Sequence, residues 1–99
     1  MVIARDVFQV KVGQMDNVLA LLEKARAEGQ GTGDVSRVLT DISGNHFTLV
    51  FETSGESVDA IRERMMASFS NPELAEIMGS MMQYIESGHR TFYTVEYEG

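Results

Sequence analysis

The chain of 99 residues contains no cysteine, no tryptophan and only one proline. Without cysteine it can form neither a disulfide framework nor a thiolate metal site. The N-terminus has no basic, apolar, small-residue signal pattern, and the longest apolar runs are much too short to span a bilayer. We therefore expect a cytoplasmic protein that does not enter membranes.

Positive charge is also scarce, because 8 Lys and Arg stand against 15 Asp and Glu, for a formal net charge of −7. A surface for nucleic acid or anionic lipid needs a basic patch, so we expect neither partner. The hydrophobic share of 43% and the charged share of 23% are typical of a folded globular chain. At this length, one domain over residues 1–99 is expected.

The spacing of apolar residues predicts seven elements in the order β-α-β-β-α-α-β. Period-two alternation and β-rich composition predict strands over residues 2–12, 35–43, 46–53 and 90–97. Three-and-four spacing predicts helices over residues 14–28, 57–69 and 72–87.

Local signals place the ends of these elements. Gly29 and Gly88 are predicted to end the first and third helices, and Asn71 before Pro72 is predicted to cap the third helix. The dipeptide Gly44-Asn45 tolerates the positive φ angles of a tight hairpin turn between the second and third strands. The sequence therefore predicts a ferredoxin-like α+β fold, a four-stranded antiparallel sheet with its helices on one face.

The other sheet face then carries apolar residues that still need a cover, including Ile3, Val7 and Val50, among polar ones. A mixed face suits a protein interface, so we predict a homodimer that joins sheet to sheet as an α+β barrel. A monomer with scattered surface apolar residues is the alternative. The candidates for the dimer face are Arg5, Val7, Gln9, His46, Thr48 and Val50.

Asp6 is the first candidate for a site, because strand alternation points it to the helix side with Phe8. An unpaired carboxylate there would be costly, and helical projection makes Arg62 a candidate partner. The two residues would form a polar spot in an apolar pocket; alternatively, Arg62 snorkels and Asp6 reaches water at a strand end or bulge. The pocket candidates are Asp6, Phe8, Arg62, Met65, Met81 and Tyr84.

The two histidines have no metal-ligand spacing. His46 is predicted to begin the third strand, and His89 is predicted to follow the end of the third helix. Zinc sites need three or four convergent ligands, so we predict no metal, and no motif calls for a cofactor.

Three segments carry a resemblance to a known superfamily: the opening strand over residues 6–14, which runs into Gly13-Gln14, the Gly44-Asn45 hairpin, and the closing Phe92-Tyr93-Thr94-Val95-Glu96-Tyr97. In element order and in these motifs the chain resembles the dimeric α+β barrel superfamily. Within it the chain looks most like NIPSNAP-like and other small stand-alone barrel domains, related to antibiotic biosynthesis monooxygenases. The resemblance implies a dimer formed face to face by the sheets.

The resemblance also implies a pocket between the sheet and the helices, where some relatives act as cofactor-independent oxygenases. Those enzymes rely on an Asn on the first strand, where this chain has Asp6. They also use a Trp on the helix after the third strand, which this chain lacks, and a His or Tyr on the helix after that. There this chain has no His, and Met81, Met82 and Tyr84 occupy the relevant stretch.

Two functions remain open at this stage. The first is a homodimer that binds a small, mostly apolar molecule between sheet and helices, with oxygenase-like or isomerase-like chemistry as the class of any activity. The second is a non-catalytic assembly or stress-associated module with a solid core. A cavity of a few hundred Å³ favours the first, and a packed core favours the second.

Overall fold

The computed structural model describes residues 1–27 and 31–99. Across these residues, the predicted element order and the ferredoxin-like α+β fold are confirmed. The elements are β1 (Val2–Val10), α1 (Met15–Ala27), β2 (Gly31–Thr40), β3 (Thr48–Gly55), α2 (Val58–Ser68), α3 (Pro72–Met82) and β4 (Ile85–Thr94).

The four strands form one antiparallel sheet in the order β2-β3-β1-β4, so that β1 and β3 are central. The even positions of β1, among them Ala4, Asp6 and Val10, are buried on the side that we call the inner face. The odd positions lie on the opposite, outer face. The predicted alternation of the first strand is therefore confirmed.

The hydrophobic core lies between the inner face and the helices. Its larger cluster joins the two central strands to α1 and α3 through Val10, Val18, Leu22, Leu49, Phe51 and Met81. A smaller cluster packs α1 against α3 through Ala25, Leu74 and Ile77. The helices thus cover one face of the sheet, as predicted.

The starts of α2 and α3 follow from their capping residues. The Ser57 hydroxyl accepts a hydrogen bond from the Ala60 amide at 3.0 Å. The Asn71 side chain accepts from the amides of Glu73 and Leu74, and Pro72 occupies the first turn. Both groups satisfy amides that a helix start leaves without partners. Gly29, predicted to end α1, lies outside the described residues.

The predicted third helix is too long, because α3 ends at Met82 and residues 85–94 form β4. The segment after α3 pairs with β1 although its apolar spacing is helical. Ile85 is in register with Val10, and the Tyr84 carbonyl accepts a hydrogen bond from the Lys11 amide at 2.7 Å. His89 consequently lies within β4, opposite Val7, and not beyond a helix end.

Gly88 has a different role from the predicted helix stop. It lies in β4 opposite Phe8, and a Cβ atom added there would come within 2.5 Å of the Phe8 ring. The glycine therefore makes room for the ring to lie against the strand.

The predicted tight turn at Gly44-Asn45 is also wrong, because residues 41–47 form a longer connection. Asp41 closes this loop: its amide donates to the Thr48 carbonyl, and its carboxylate accepts from the Thr48 amide at 3.0 Å. His46 lies in the loop, exposed, and does not begin β3.

Candidate functional site

A cavity of about 220 Å³ lies between the inner face of the sheet and helices α2 and α3. Its walls are largely apolar. The strands contribute Phe8, Val35 and Phe51. The helices and the connection between them contribute Met65, Phe69, Leu74, Met78 and Met82. Phe69 and Met82 are exposed and lie at the mouth of the cavity.

One ion pair is part of this apolar wall. Asp6 and Arg90 are cross-strand neighbours on β1 and β4. The Arg90 Nε and Nη2 atoms donate to the two carboxylate oxygens of Asp6 at 2.5 and 3.2 Å. The Asp6 side chain is only 8% exposed, whereas that of Arg90 is 41% exposed. The pair therefore joins a buried anion to a cation that reaches the cavity mouth.

The bidentate geometry leaves hydrogen-bonding capacity unused. Within the part of the chain that the structure describes, no hydrogen bond is made by Arg90 Nη1. Each carboxylate oxygen of Asp6 accepts one of these bonds and has a further lone pair. The pair can therefore present a donor and an acceptor side by side.

Thr53 adds a polar group to the same wall. The residue is completely buried, and its Oγ1 atom finds no hydrogen-bond partner among residues 1–27 and 31–99. Its side chain lines the cavity next to the sheet. A buried hydroxyl without a hydrogen-bond partner is costly, which makes Thr53 unusual among buried polar groups.

The structure brings three of the predicted pocket residues together, since Asp6, Phe8 and Met65 line the cavity. Met81 is instead fully buried in the core, and Tyr84 packs partly buried beside it. Neither of these two residues lines the cavity.

Arg62 is not the partner of Asp6. Helix α2 buries Ile61 against the sheet, and the next residue, Arg62, turns to the exposed side. The alternative of a solvated Asp6 at a strand end or bulge is also wrong, because Asp6 lies buried within β1 and pairs with Arg90.

Arg90 is the residue that sequence reasoning missed. The predicted last strand began at Arg90, so the sequence did not decide which sheet face this side chain lies on. In the structure, β4 starts five residues earlier. Alternation places Arg90 on the same face as Phe92, and the register of Arg90 with Asp6 shows that this is the inner face.

The outer face holds a second buried carboxylate, Glu52. Its side chain is 3% exposed and lies between two arginines. Arg5 donates to Oε2 at 3.0 and 2.6 Å, and Arg37 donates to Oε1. Burial by itself raises the pKa of Glu52, but the hydrogen bonds and charges of Arg37 and Arg5 outweigh it and hold that pKa below 4.5.

Five of the six candidates for the dimer face share this outer face, because Arg5, Val7 and Gln9 of β1 are in register with Glu52, Val50 and Thr48 of β3. His46 is the exception, since it lies in the β2–β3 connection; its carbonyl accepts from the Gln9 side chain at 2.7 Å. The Arg5 guanidinium also lies over the Tyr93 ring, 5.6 Å from its centroid.

Side-chain positions decide whether a metal site is present, and helix lengths decide whether a membrane span is; the structure gives both for residues 1–27 and 31–99. No three His, Asp or Glu side chains in this part of the chain converge in a way that could hold a metal ion. No helix in it has the length and hydropathy needed to cross a bilayer.

Comparison with solved structures shows the same fold in NIPSNAP proteins. A NIPSNAP family protein from Agrobacterium tumefaciens matches with a TM-score of 0.83 and 15% identity, over 94% of this chain and 90% of that one. An uncharacterized NIPSNAP domain protein from Burkholderia xenovorans matches with a TM-score of 0.80 and 15% identity, over 96% and 94%.

The fold extends to an antibiotic biosynthesis monooxygenase, with a TM-score of 0.66 and 10% identity over 96% of this chain and 98% of that one. No protein-family model matches the chain, and no curated protein matches it. The structural neighbours are thus NIPSNAP and monooxygenase-like proteins, as the sequence resemblance predicted, and at these identities they show the fold alone.

Proposed function

We propose that this protein is a cytoplasmic homodimer that binds a small, mostly apolar molecule between its sheet and its helices. The observation that carries the proposal is the cavity of about 220 Å³, whose described lining residues are apolar except for the Asp6–Arg90 pair, Thr53 and Ser68. Well-packed cores contain few voids larger than one water molecule, so a space of this size favours a bound molecule over a solid core.

Oxygenase-like or isomerase-like chemistry is the class of activity that the proposal includes. It is supported by the shared fold with an antibiotic biosynthesis monooxygenase and by a carboxylate, Asp6, on the cavity wall. A fold can carry many functions, so the residues of this cavity decide the matter and not the fold.

Dimer formation through the outer face is supported by the residues that would be covered. Val7, Val50 and Leu39 lie in register across three neighbouring strands; Val7 and Val50 are only partly buried, and Leu39 is exposed. Strand β4 is an edge strand whose residues are exposed from Glu86 to Thr94. A long exposed edge strand with aromatic side chains is a surface that proteins normally cover.

This outer face also favours the second function, a non-catalytic assembly or stress-associated module. In that case assembly alone would be the function, and the cavity would remain without a specific ligand. The two functions share the dimer and differ in the cavity, so the cavity is where they must be tested.

A neighbouring pair of methionines on α2 supplies the test. Met65 lines the cavity, whereas Met66 is 74% exposed and does not. Met65→Trp should fill the cavity, and Met66→Trp is the matched control in a chain that has no other tryptophan. Native mass spectrometry of freshly purified protein, followed by denaturing analysis, then measures chain number and any retained small molecule.

We expect wild type and Met66→Trp to run at twice the 11.0 kDa chain mass and to retain a stoichiometric molecule that Met65→Trp has lost. A dimer that retains nothing, and whose cavity methionines respond to no added small molecule, would favour the assembly module. A monomer at micromolar concentration would contradict the dimer.

A further inference from the structure

We propose that the ligand of the inner cavity is an uncharged molecule about the size of one substituted ring, with a hydroxyl or carbonyl oxygen that meets the Asp6–Arg90 pair. The inference rests on the proposed function, because it names the class of molecule that the same cavity takes. Its basis is the charge balance of the wall. Among the described residues that line the cavity, Asp6 and Arg90 are the only charged ones, and their formal charges cancel.

An anionic ligand would find the charge of Arg90 already compensated. The Asp6 carboxylate lies 2.5 Å from Arg90 Nε and 3.2 Å from Nη2, so a carboxylate or phosphate placed at Nη1 would also meet this anion. Displacing Asp6 does not solve the problem, because a buried carboxylate without its partner is costly. The pair therefore selects against anions.

A cationic ligand meets the converse problem. An ammonium group drawn to Asp6 would lie beside the guanidinium that already occupies both carboxylate oxygens. It would also lose its hydration against an apolar wall without gaining an unpaired anion. Rejection by like charge and by unpaired groups is a common source of specificity.

A neutral oxygen has partners at the same place. Arg90 Nη1 can donate to a carbonyl or hydroxyl, and the remaining lone pairs of Asp6 can accept from a hydroxyl.

The size of the ligand follows from the cavity volume. An apolar cavity of about 150 Å³ holds benzene, so about 220 Å³ accommodates one ring with a short substituent. Sites for drug-sized molecules start at about 300 Å³. A fused polycyclic molecule would therefore extend out of the mouth, past Phe69 and Met82.

Three probes of nearly equal shape and different charge test the inference: benzyl alcohol, benzoate and benzylammonium. Binding to the full chain is followed by the methyl NMR signals of Met65 and Met78, which line the cavity, with exposed Met66 as internal control. We expect benzyl alcohol to bind wild type at least about tenfold more tightly than either ion.

Charge variants of the pair should change this order. In Asp6→Asn, Arg90 loses its counter-charge and benzoate should gain at least about tenfold, whereas in Arg90→Gln benzylammonium should gain. The double variant Asp6→Asn with Arg90→Gln restores neutrality, and benzyl alcohol should again bind most tightly. Glu63→Gln and Arg62→Gln make the same charge changes at exposed positions of α2 and should leave the order of wild type unchanged.

The outcomes separate this inference from the proposed function. If benzoate or benzylammonium binds wild type as tightly as benzyl alcohol, and shifts Met65 and Met78, the cavity is a ligand site but the inference is wrong. If none of the three shifts these methyl signals, the cavity takes no such ligand and both proposals fail. If a single variant does not fold, the wild-type order and the double variant still decide.

Discussion

Two buried carboxylates lie on neighbouring central strands of the sheet and differ in what surrounds them. Asp6 of β1 lies on the inner face and pairs with Arg90 alone. Glu52 of β3 lies on the outer face and is shared by Arg5 and Arg37. Both are almost fully removed from solvent, but Asp6 lines the inner cavity and Glu52 does not.

The difference shows that a buried charge does not by itself mark a ligand site. Glu52 ties three strands together, because its two arginines come from β1 and β2. Its surroundings carry one net positive charge on an open face. Asp6 ties β1 to β4 next to empty, apolar space, where its neutral pair is the main polar feature. This contrast agrees with the proposal that the outer face serves assembly and the inner one ligand binding.

The largest expected effect is on the dissociation constant of the proposed dimer, when a charge is placed on the outer face. Val50 lies between Val7 and Leu39 at the centre of that face. Val50→Asp would bring two like charges together across a symmetric interface, so the dimer dissociation constant should rise at least about a hundredfold, or about 2.8 kcal/mol. Sedimentation velocity measures it, with Met66→Asp on exposed α2 as control. An unchanged dimer in a folded variant would place the interface elsewhere.

The next effect concerns the stability supplied by Glu52. Glu52→Ala leaves Arg5 and Arg37 facing one another without their shared anion, and we expect the free energy of unfolding to fall by about 2 kcal/mol. The value stays below that of a fully buried pair because the arginine side chains are 44% and 64% exposed. Urea unfolding at fixed chain concentration measures it. A loss no larger than that of exposed Glu63→Ala would show that the three charges add nothing.

The matching substitution on the inner face should lower the free energy of unfolding less than Glu52→Ala does, but it should weaken ligand binding. Asp6→Ala removes one carboxylate from one half-exposed arginine, and we expect a loss of about 1 kcal/mol in the free energy of unfolding. Binding of benzyl alcohol should fall at least about tenfold while the dimer stays folded. Should stability fall as far as in Glu52→Ala with binding unchanged, Asp6 would be a structural residue only.

The smallest expected effect is the pH dependence of the stability that Glu52 supplies on the outer face. The pKa of Glu52 in the folded chain lies below its ordinary value of 4.5, so its stabilisation is complete above that value and is lost as pH falls through the lower, folded value. The difference in unfolding free energy between wild type and Glu52→Gln should therefore shrink between about pH 6 and pH 3. A difference that stays constant over this range would contradict the lowered pKa.

The sequence predicts most of the fold because its strongest signals are local. Alternation in β1 and the cap at Asn71 depend on near neighbours, and the structure confirms them. The boundary between α3 and β4 fails for the opposite reason. Tyr84 and Ile85 continue the helical spacing, yet pairing of this segment with β1 decides its structure.

The candidate site depends on that boundary. Alternation alone places Asp6 and Phe8 under the helices, where the structure has them. The partner of Asp6 comes from β4, whose start the helical spacing concealed, and the helix projection led instead to Arg62. Long-range pairing of β1 with β4 could not be read from either segment by itself.

The most direct test of the account is a nuclear Overhauser measurement on wild-type protein saturated with benzyl alcohol. A ligand site in the inner cavity should give cross-peaks from the ligand ring to the methyl groups of Met65 and Met78 on the cavity wall, and none to exposed Met66. Cross-peaks to Met66 alone, or no cross-peaks from a protein that is folded and dimeric, would contradict a ligand site between the sheet and the helices.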